Sequence, residues 1–158
     1  MVYSDFQCPA CAKGARILDE LIKNEPSRFY LEAKYFPLEM HMHALRAARY
    51  AECSARQGKF WPMHDLLFKQ QSYWAGLLNP EPVFGEMVKS IQLDPKKLEQ
   101  CLADPGVIER IYKDRNEGKT REIKSTPTYF INDKMIVGTQ NLEKELNPQP
   151  PVQFKPQP

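Results

Sequence analysis

The N-terminal stretch Val2-Tyr3-Ser4-Asp5-Phe6-Gln7-Cys8-Pro9-Ala10-Cys11 decides the fold. Its first half, from Val2 to Phe6, is rich in residues that favour strands. Proline sits naturally at the first position of a helix, so Pro9 predicts that a helix begins directly after Cys8. Apolar residues then recur at helical spacing at Ile17, Leu18, Leu21 and Ile22. The stretch therefore predicts a strand that leads into a helix through two cysteines.

A second strand is predicted from Phe29 to Phe36, where side chains alternate between two faces until Pro37 ends the run. Residues 24–27 contain Pro26 and are predicted to end the first helix. A strand, a helix and a strand of this length predict a parallel pair joined by a right-handed crossover.

The stretch from residue 38 to about residue 104 contains no convincing strand and predicts a block of helices. Apolar spacing places three of them over 44–57, over 60–69 and around 83–91. Asp94-Pro95 and Asp104-Pro105 each resemble an N-cap followed by proline, so two more helices are predicted to begin there.

The last of these helices is predicted to reach Gly118, and two short strands follow it. Thr128 to Ile131 and Met135 to Val137 flank the polar residues 132–134 and predict a hairpin. A short helix is predicted over 141–146. Residues 148–158 are rich in proline and lack periodicity, which predicts an extended or disordered tail.

This order of elements predicts an α/β, thioredoxin-like fold with a helical insertion between the second strand and the hairpin, at about 38–104. The chain has 158 residues, of which 42% are hydrophobic. Such a chain can bury one substantial core but is short for two. We therefore interpret residues 1–147 as a single domain and 148–158 as its tail.

The net charge says little about partners, and hydropathy predicts no membrane span. The net charge is +2, from 22 basic and 20 acidic side chains, so no strongly charged surface is predicted for nucleic acid or membrane lipid. No apolar run reaches the roughly 20 residues of a membrane span. The sequence begins almost directly on a strand, without a basic segment and an apolar signal core. These observations leave a cytosolic protein and a mature form cut from a longer precursor as alternatives.

The four cysteines divide into a close pair, Cys8 and Cys11, and two distant residues, Cys53 and Cys101. A zinc site would usually require a second close pair or a cysteine and histidine at ligand spacing. Neither Cys53 nor Cys101 has such a neighbour in the sequence, so no metal site is predicted.

Two cysteines separated by two residues at a helix start support thiol-disulfide exchange. Unpaired backbone N–H groups and the helix dipole stabilise a thiolate on Cys8, which we expect to be the exposed residue. Cys11 lies one turn further in, where it can attack a mixed disulfide on Cys8. A fixed disulfide and half of a metal site are the alternatives, and the strand-to-helix position favours redox chemistry. Pro9 and Ala10 are predicted to contact the substrate.

A second motif, Ser125-Thr126-Pro127-Thr128, precedes the predicted hairpin. It fits a bend in which a cis peptide bond leaves the backbone of Thr126 exposed beside the cysteines, able to pair with an extended substrate. An ordinary trans proline at a strand start is the alternative. Because the motif occurs together with the cysteine pair, we predict that Thr126 and Pro127 bind substrate.

Four motifs along the chain are considered jointly. They are Asp5-Phe6-Gln7-Cys8-Pro9-Ala10-Cys11, Phe36-Pro37-Leu38, Gln57-Gly58-Lys59-Phe60-Trp61 with His64, Leu67 and Phe68, and Ser125-Thr126-Pro127-Thr128-Tyr129-Phe130. Together they resemble the DsbA-like thioredoxin family over the chain up to about residue 140. The resemblance implies that Cys8 is the nucleophile, Cys11 the resolving cysteine and Pro127 a cis-proline. It also implies an extracytoplasmic location, usually the bacterial periplasm or the cell surface.

The chain departs from that family's pattern in three places. Strong oxidants of the family carry histidine between the cysteines, whereas this chain has Ala10, so one contact that stabilises a thiolate is missing. Thr126 resembles isomerase-type relatives more than the best-known oxidases. The helix predicted over 141–146 is shorter than the family would suggest.

Three histidines are too sparse for a convincing metal site. His64 follows Phe60 by four residues and precedes Leu67 by three, which places it on the apolar face of its helix. It is predicted to be a hydrogen-bonded structural histidine. His41 and His43 flank a helix start and are predicted to be surface or cap residues.

Cys53 and Cys101 both lie in the predicted helical block, Cys53 late in its first helix and Cys101 one turn beyond Leu98. Two packed helices could bring them together. The oxidising compartment implied by the resemblance would convert an adjacent pair into a structural disulfide. Two separate buried thiols are the alternative.

The sequence thus predicts an enzyme, a thiol-disulfide oxidoreductase acting on proteins through Cys8 and Cys11, with disulfide formation as the expected direction. We expect a monomer without cofactor or metal. Its expected partners are proteins with thiols or disulfides, and a membrane redox partner that resets the cysteine pair; nucleic acid is not expected. The alternatives are a reductase or isomerase, and a non-enzymatic binding domain of a larger membrane protein.

Overall fold

The computed structural model describes residues 1–27 and 30–146 of the chain. Within these residues the chain forms four strands and eight helices. They are β1 (Val2–Ser4), α1 (Pro9–Asn24), β2 (Ala33–Tyr35), α2 (Ala44–Ala55), α3 (Phe60–Lys69), α4 (Gln71–Trp74), α5 (Glu81–Ser90), α6 (Pro95–Ala103), α7 (Pro105–Thr120), β3 (Thr128–Ile131), β4 (Lys134–Val137) and α8 (Thr139–Leu146).

The four strands form one mixed sheet in the order β2-β1-β3-β4. β1 pairs in parallel with β2, and Val2 lies opposite Ala33. β1 also pairs antiparallel with β3, which forms the hairpin with β4. The predicted parallel pair, the hairpin and the α/β thioredoxin-like fold are therefore confirmed.

Five helices, α2 to α6, separate β2 from α7 and form the predicted helical insertion. The two aspartates predicted as N-caps act as such: Asp94 accepts hydrogen bonds from the backbone N–H groups of residues 96 and 97, and Asp104 from that of Gly106. The prediction missed α4, a single turn. After the insertion, α7 packs on the sheet, where Asp114 accepts the N–H of Tyr35 at 3.2 Å.

β1 and β2 are shorter than predicted, whereas β3 has the predicted bounds. β1 ends at Ser4 because Asp5 turns the chain, its side chain accepting the N–H of Gln7 at 2.7 Å. β2 covers only Ala33–Tyr35 of the predicted Phe29 to Phe36, since its pairing partner β1 is itself three residues long. Phe29 lies outside the described residues.

The hairpin connection is also shorter than predicted. Asn132 and Asp133 alone join the strands, both with positive φ, while Lys134 already belongs to β4. Two residues with positive φ are typical of the turn whose twist matches that of a hairpin. α8 begins at Thr139, two residues earlier than predicted.

The largest apolar cluster lies between the start of α1 and the helical insertion. Cys8 and Cys11 pack in it together with Phe6, Leu67 and Trp74. A second cluster lies on the sheet and includes Val2, Tyr129, Ile136 and Leu142. The cysteine pair is therefore located where the insertion meets the thioredoxin-like core.

The proposed domain limits stay a prediction. The tail over 148–158 and residue 147 lie outside the described residues.

Candidate active site

The two cysteines of the close pair occupy different positions in the first turn of α1. Cys8 is the N-cap residue and Pro9 follows at the first helical position, as predicted. The carbonyl oxygen of Cys8 accepts the N–H groups of Cys11 at 3.0 Å and Ala12 at 3.2 Å. Pro9 and Ala10 are exposed, so both can meet a substrate.

Cys8 is less exposed than predicted. It is 8% exposed and Cys11 is 2% exposed, and both pack in the largest apolar cluster. The prediction of an exposed nucleophile was wrong because it treated α1 alone, whereas the helical insertion covers the start of this helix. Cys8 is nevertheless the more exposed of the two cysteines, as predicted.

The environment of the two thiols shifts their pKa values in opposite directions. The pKa of Cys8 is lowered to about 5, mainly by a hydrogen bond from the Cys11 thiol. The side chain of Thr126 and the backbone N–H groups of Cys11 and Ala10 also lower it, whereas burial raises it. Burial raises the pKa of Cys11, and its hydrogen bond to the Cys8 thiolate raises it further. At neutral pH the reduced site therefore holds a thiolate on Cys8 and a thiol on Cys11.

The segment of Thr126 and Pro127 lies beside this pair. The peptide bond between the two residues is cis. The Sγ of Cys8 lies 3.5 Å from the carbonyl oxygen of Thr126. A substrate sulfur bonded to Cys8 would therefore lie beside the backbone of Thr126.

Two glutamines, which the sequence reasoning missed, hold the loop before Cys8. Gln71 in α4 donates from its side chain to the carbonyl oxygens of Phe6 at 2.7 Å and Cys8 at 2.9 Å. Gln7 donates to the carbonyl oxygen of Ala75 at 3.0 Å and accepts the N–H of His43 at 2.6 Å. The helical insertion thus fixes the backbone that carries Cys8.

Asp5 anchors the same loop from the other side. Its buried carboxylate accepts the N–H of Leu38 at 2.9 Å and lies 2.7 Å from Nδ1 of His41. The Asp5 N–H in turn donates to Sγ of Cys11 at 3.4 Å. The family motif from Asp5 to Cys11 contained this residue, but sequence alone gave it no role.

His41 and His43 were predicted to be surface or cap residues. His43 is in the cap position, as predicted, but it is buried, and His41 is partly buried and paired with Asp5. His43 occupies the N-cap position of α2 without a side-chain capping bond, because its Nε2 lies 2.7 Å from the carbonyl oxygen of Leu77. Both rings connect loops around the active site.

Cys53 and Cys101 lie outside the active site and are joined by a disulfide, with an S–S distance of 2.04 Å. The bond connects α2 to α6 within the helical insertion. Within residues 1–27 and 30–146, no cluster of three or more His, Cys, Asp or Glu side chains is arranged to hold a metal ion.

The family model described as thioredoxin matches residues 1–147. The chain belongs to the thioredoxin family. Solved structures extend the likeness to DsbA-type proteins. DsbA2 of Pseudomonas aeruginosa is 27% identical, with a TM-score of 0.64 over 80% of this chain and 69% of that one. The thiol-disulfide exchange protein alpha-DsbA2 of Wolbachia pipientis shares the fold, with a TM-score of 0.71 and 19% identity over 92% of this chain and 77% of that one. The resemblance to the DsbA-like family is thereby confirmed.

The curated relatives, unlike the DsbA-type structures, are named as antiporters. The Na(+)/H(+) antiporter NhaA 1 of Salinispora arenicola is 33% identical over 142 residues, which are 89% of this chain and 21% of the antiporter. NhaA of Herminiimonas arsenicoxydans is 30% identical over 137 residues, with 87% and 21% covered. The chain thus spans about a fifth of the length of these relatives. Among the described residues of this chain, no helix is long and apolar enough to cross a membrane.

The pKa values predict how the reduced protein reacts with iodoacetamide. Alkylation of Cys8 should be half-maximal near pH 5, while Cys11 stays unmodified through neutral pH. Mass spectrometry of tryptic peptides after timed quenching measures both rates. Faster modification of Cys11 than of Cys8 at mildly acid pH would show that the two roles are reversed.

The same shift makes the stability of the reduced form depend on pH. The folded pKa of Cys8 is about 5, below the value of about 8.5 for an unfolded cysteine. Between these two values the unfolded chain binds more protons at this residue. The contribution of Cys8 to stability should therefore grow from pH 5 to pH 8.5 and be lost as pH falls through 5.

Proposed function

We propose that the chain catalyses thiol-disulfide exchange with cysteine-containing proteins, with Cys8 as nucleophile and Cys11 as resolving cysteine. The observation that carries this proposal is the opposite shift of the two pKa values, to about 5 for Cys8 and upward for Cys11. Exchange proceeds by attack of a thiolate on a disulfide, and thiolate character determines which cysteine attacks first. The pair provides one cysteine for each half of the reaction.

The proposed direction is disulfide formation. A substrate thiolate attacks Sγ of Cys8 in the oxidised enzyme, the Cys8–Cys11 bond breaks, and Cys11 leaves and takes up a proton. A second substrate thiolate then attacks the substrate sulfur of the mixed disulfide, and Cys8 leaves as a stable thiolate. Two electrons pass from the substrate thiols to the enzyme.

The low pKa of Cys8 supports this direction. A stabilised thiolate favours the reduced enzyme, which makes the disulfide form a stronger oxidant. Strongly oxidising DsbA has a cysteine pKa of about 3.5, whereas the value in reducing thioredoxin is about 7. Cys8, at about 5, lies between the two. Ala10 places only a methyl group where a further contact could stabilise the thiolate.

The reduction potential of the Cys8–Cys11 couple tests the direction. We expect a value between about −120 mV, as in DsbA, and about −270 mV, as in thioredoxin. Equilibration with glutathione buffers and counting of free thiols gives the value. An Ala10→His variant, which supplies the missing contact, should shift the potential towards −120 mV. A potential at or below −270 mV would instead favour a reductase.

We further propose that the chain works outside the cytoplasm with a membrane redox partner that resets the cysteine pair. The Cys53–Cys101 disulfide supports an oxidising compartment, since such bonds are rare in the cytosol. The cycle itself supports a redox partner, because each turnover leaves Cys8 and Cys11 reduced.

The similarity to antiporters favours a second candidate, a non-enzymatic binding domain of a larger membrane protein. Oxidation of a dithiol peptide by catalytic amounts of the chain in a glutathione buffer separates the two. Multiple turnovers support the enzyme. A folded chain that oxidises no peptide beyond its own stoichiometric disulfide would support the binding domain.

A further inference from the structure

Cys11 borders a cavity of about 420 Å³ between α1 and α3. Its walls are largely apolar and include Leu18 from α1, and Trp61 and Phe68 from α3. Pro127 also lines it, so the cavity reaches the active site. Its volume is that of a small-ligand site and leaves ample room for water.

The proposed reaction requires proton exchange at Cys11. When Cys11 attacks the mixed disulfide it must lose a proton, and when it leaves the disulfide it must gain one. Cys11 is 2% exposed, and burial raises its pKa. Water therefore reaches this sulfur mainly through the cavity, and a group that lines the cavity is placed to exchange the proton.

His64 in α3 lines the same cavity. Its Nδ1 lies 2.9 Å from the carboxylate of Asp65, so Nδ1–H donates and Nε2 of the neutral ring is left as the basic nitrogen. Rings of Phe6, Trp61 and Phe68 surround the imidazole, with centroids 4.9 to 5.8 Å away, and fix its orientation. An oriented imidazole whose Nδ1 is held by a carboxylate can accept a proton on its other nitrogen, as a general base does.

Tyr129 provides a second, independent observation. Its Oη is buried and, among the described residues, has no hydrogen-bond partner. A side chain on residue 14 would collide with it, since an added Cβ would lie 2.0 Å from Oη, and Gly14 leaves that space open. Tyr129 lines the cavity with Cys11 and His64. A buried hydroxyl without a protein partner is commonly satisfied by an ordered water.

The other ionisable groups of the cavity lining are Asp19 from α1, Asp65, and Tyr30 from the segment before β2. Asp19 pairs with Lys23 at 2.6 Å, and Asp65 is bonded to His64. Among these lining residues His64 alone carries an imidazole, a side chain that both accepts and returns protons in general acid-base catalysis.

We propose that His64 exchanges the proton of Cys11 through water held in the cavity by the Tyr129 hydroxyl. This rests on the proposed function. The Cys11 proton passes to Nε2 of His64, Sγ of Cys11 bonds to Sγ of Cys8, and the bond from Cys8 to the substrate sulfur breaks. The substrate leaves as a thiolate with that electron pair. In the opposite direction, His64 returns the proton to Cys11 as it leaves.

Two thiols released in succession test this role. Reduced enzyme is mixed with an excess of a symmetrical, fluorogenic disulfide peptide; the first thiol reports attack by Cys8 and the second reports attack by Cys11. In His64→Phe, which retains a ring among the aromatic side chains, the second release should slow by about a hundredfold at pH 7. The first release should be unchanged, and the pH profile of the second should change shape, because the residue that takes up the proton is absent.

Two further variants separate proton transfer from packing. Tyr129→Phe should slow the second release, whereas Tyr50→Phe, a buried tyrosine of the insertion that does not line the cavity, should not. In His64→Ala, added imidazole should restore the second release. If His64→Phe matches wild type in the rate and pH profile of the second release, the inference is overturned. If wild type releases neither thiol, the proposed function itself fails.

Discussion

Replacing Cys8 with serine is expected to reduce disulfide exchange to the uncatalysed rate. In the proposed mechanism its thiolate, with a pKa of about 5, is the form that attacks, and serine cannot form a thiolate. Cys11 cannot substitute for it, because burial raises its pKa and leaves it protonated at neutral pH. Oxidation of a dithiol peptide, followed by mass spectrometry, measures the loss.

Cys11→Ser should behave differently. This variant keeps the nucleophile and lacks the sulfur that resolves a mixed disulfide, so the enzyme should accumulate covalently bound to its substrates. Non-reducing gels with peptide mapping should locate the bond at Cys8. The Cys8→Ser/Cys11→Ser variant, with the Cys53–Cys101 disulfide intact, is the matched control and should bind no substrate covalently. Substrate trapped mainly on Cys11 in the Cys8→Ser variant would contradict the assignment.

Local chemistry made much of the site predictable. A cysteine pair followed by proline at a helix start depends on neighbouring residues alone, and Cys8 and Pro9 occupy the positions in α1 that this pattern predicts. The low pKa of Cys8 was likewise expected from the helix N-terminus. The largest cause is the hydrogen bond from Cys11 one turn further in, which also follows from local spacing.

The contacts that fix the active-site loop were not predictable. Gln71 lies 63 residues from Cys8 in the sequence, on a helix too short to show periodicity, and yet it bonds to the Cys8 carbonyl oxygen. The burial of Cys8 and His43 and the pairing of His41 with Asp5 were missed for the same reason, since all three depend on how the insertion packs on the core. Residue patterns predict which face of a helix or strand is buried, but they do not predict which other segment of the chain packs against that face.

The lengths of β1 and β2 were overestimated for a related reason. The alternation from Phe29 to Phe36 is longer than the ladder that β1 can form with it, because β1 provides only three residues. Alternation predicts that a segment is extended, whereas its pairing depends on the neighbouring strand. The helix starts at Asp94 and Asp104 were predicted to the residue because the capping side chain and the proline are adjacent in sequence.

Removing the Cys53–Cys101 disulfide is expected to have the largest effect on stability. The bond closes a loop with a sequence separation of 48 between α2 and α6. By the loop-entropy relation, a bridge over that span stabilises the folded state by about 4 kcal/mol. Domains of this size are stable by about 5–15 kcal/mol in total, so the loss would be a large fraction.

The experiment is cleanest when the catalytic pair cannot form a second disulfide. In a Cys8→Ser/Cys11→Ser background, urea unfolding of the bridged protein is compared with that of the same protein carrying Cys53→Ala and Cys101→Ala. A third sample, reduced while unfolded and then refolded with reductant, keeps both sulfur atoms and controls for lost packing. The reduced and alanine forms should both unfold at lower urea, by similar amounts.

Thiol counting tests the bridge in the native wild-type protein. Cys8 and Cys101 are equally buried, at 8% exposed, so exposure does not distinguish the two bonds, but Cys8 leaves as a stabilised thiolate with a pKa of about 5. Mild reductant should therefore open Cys8–Cys11 first and expose two thiols. Two more thiols should appear only when the protein is unfolded in the presence of reductant. Four thiols under native, mild conditions would show that the bridge is absent or labile. That result would also weaken the proposal of an oxidising compartment, because a stable structural disulfide is the feature of this chain that most depends on one.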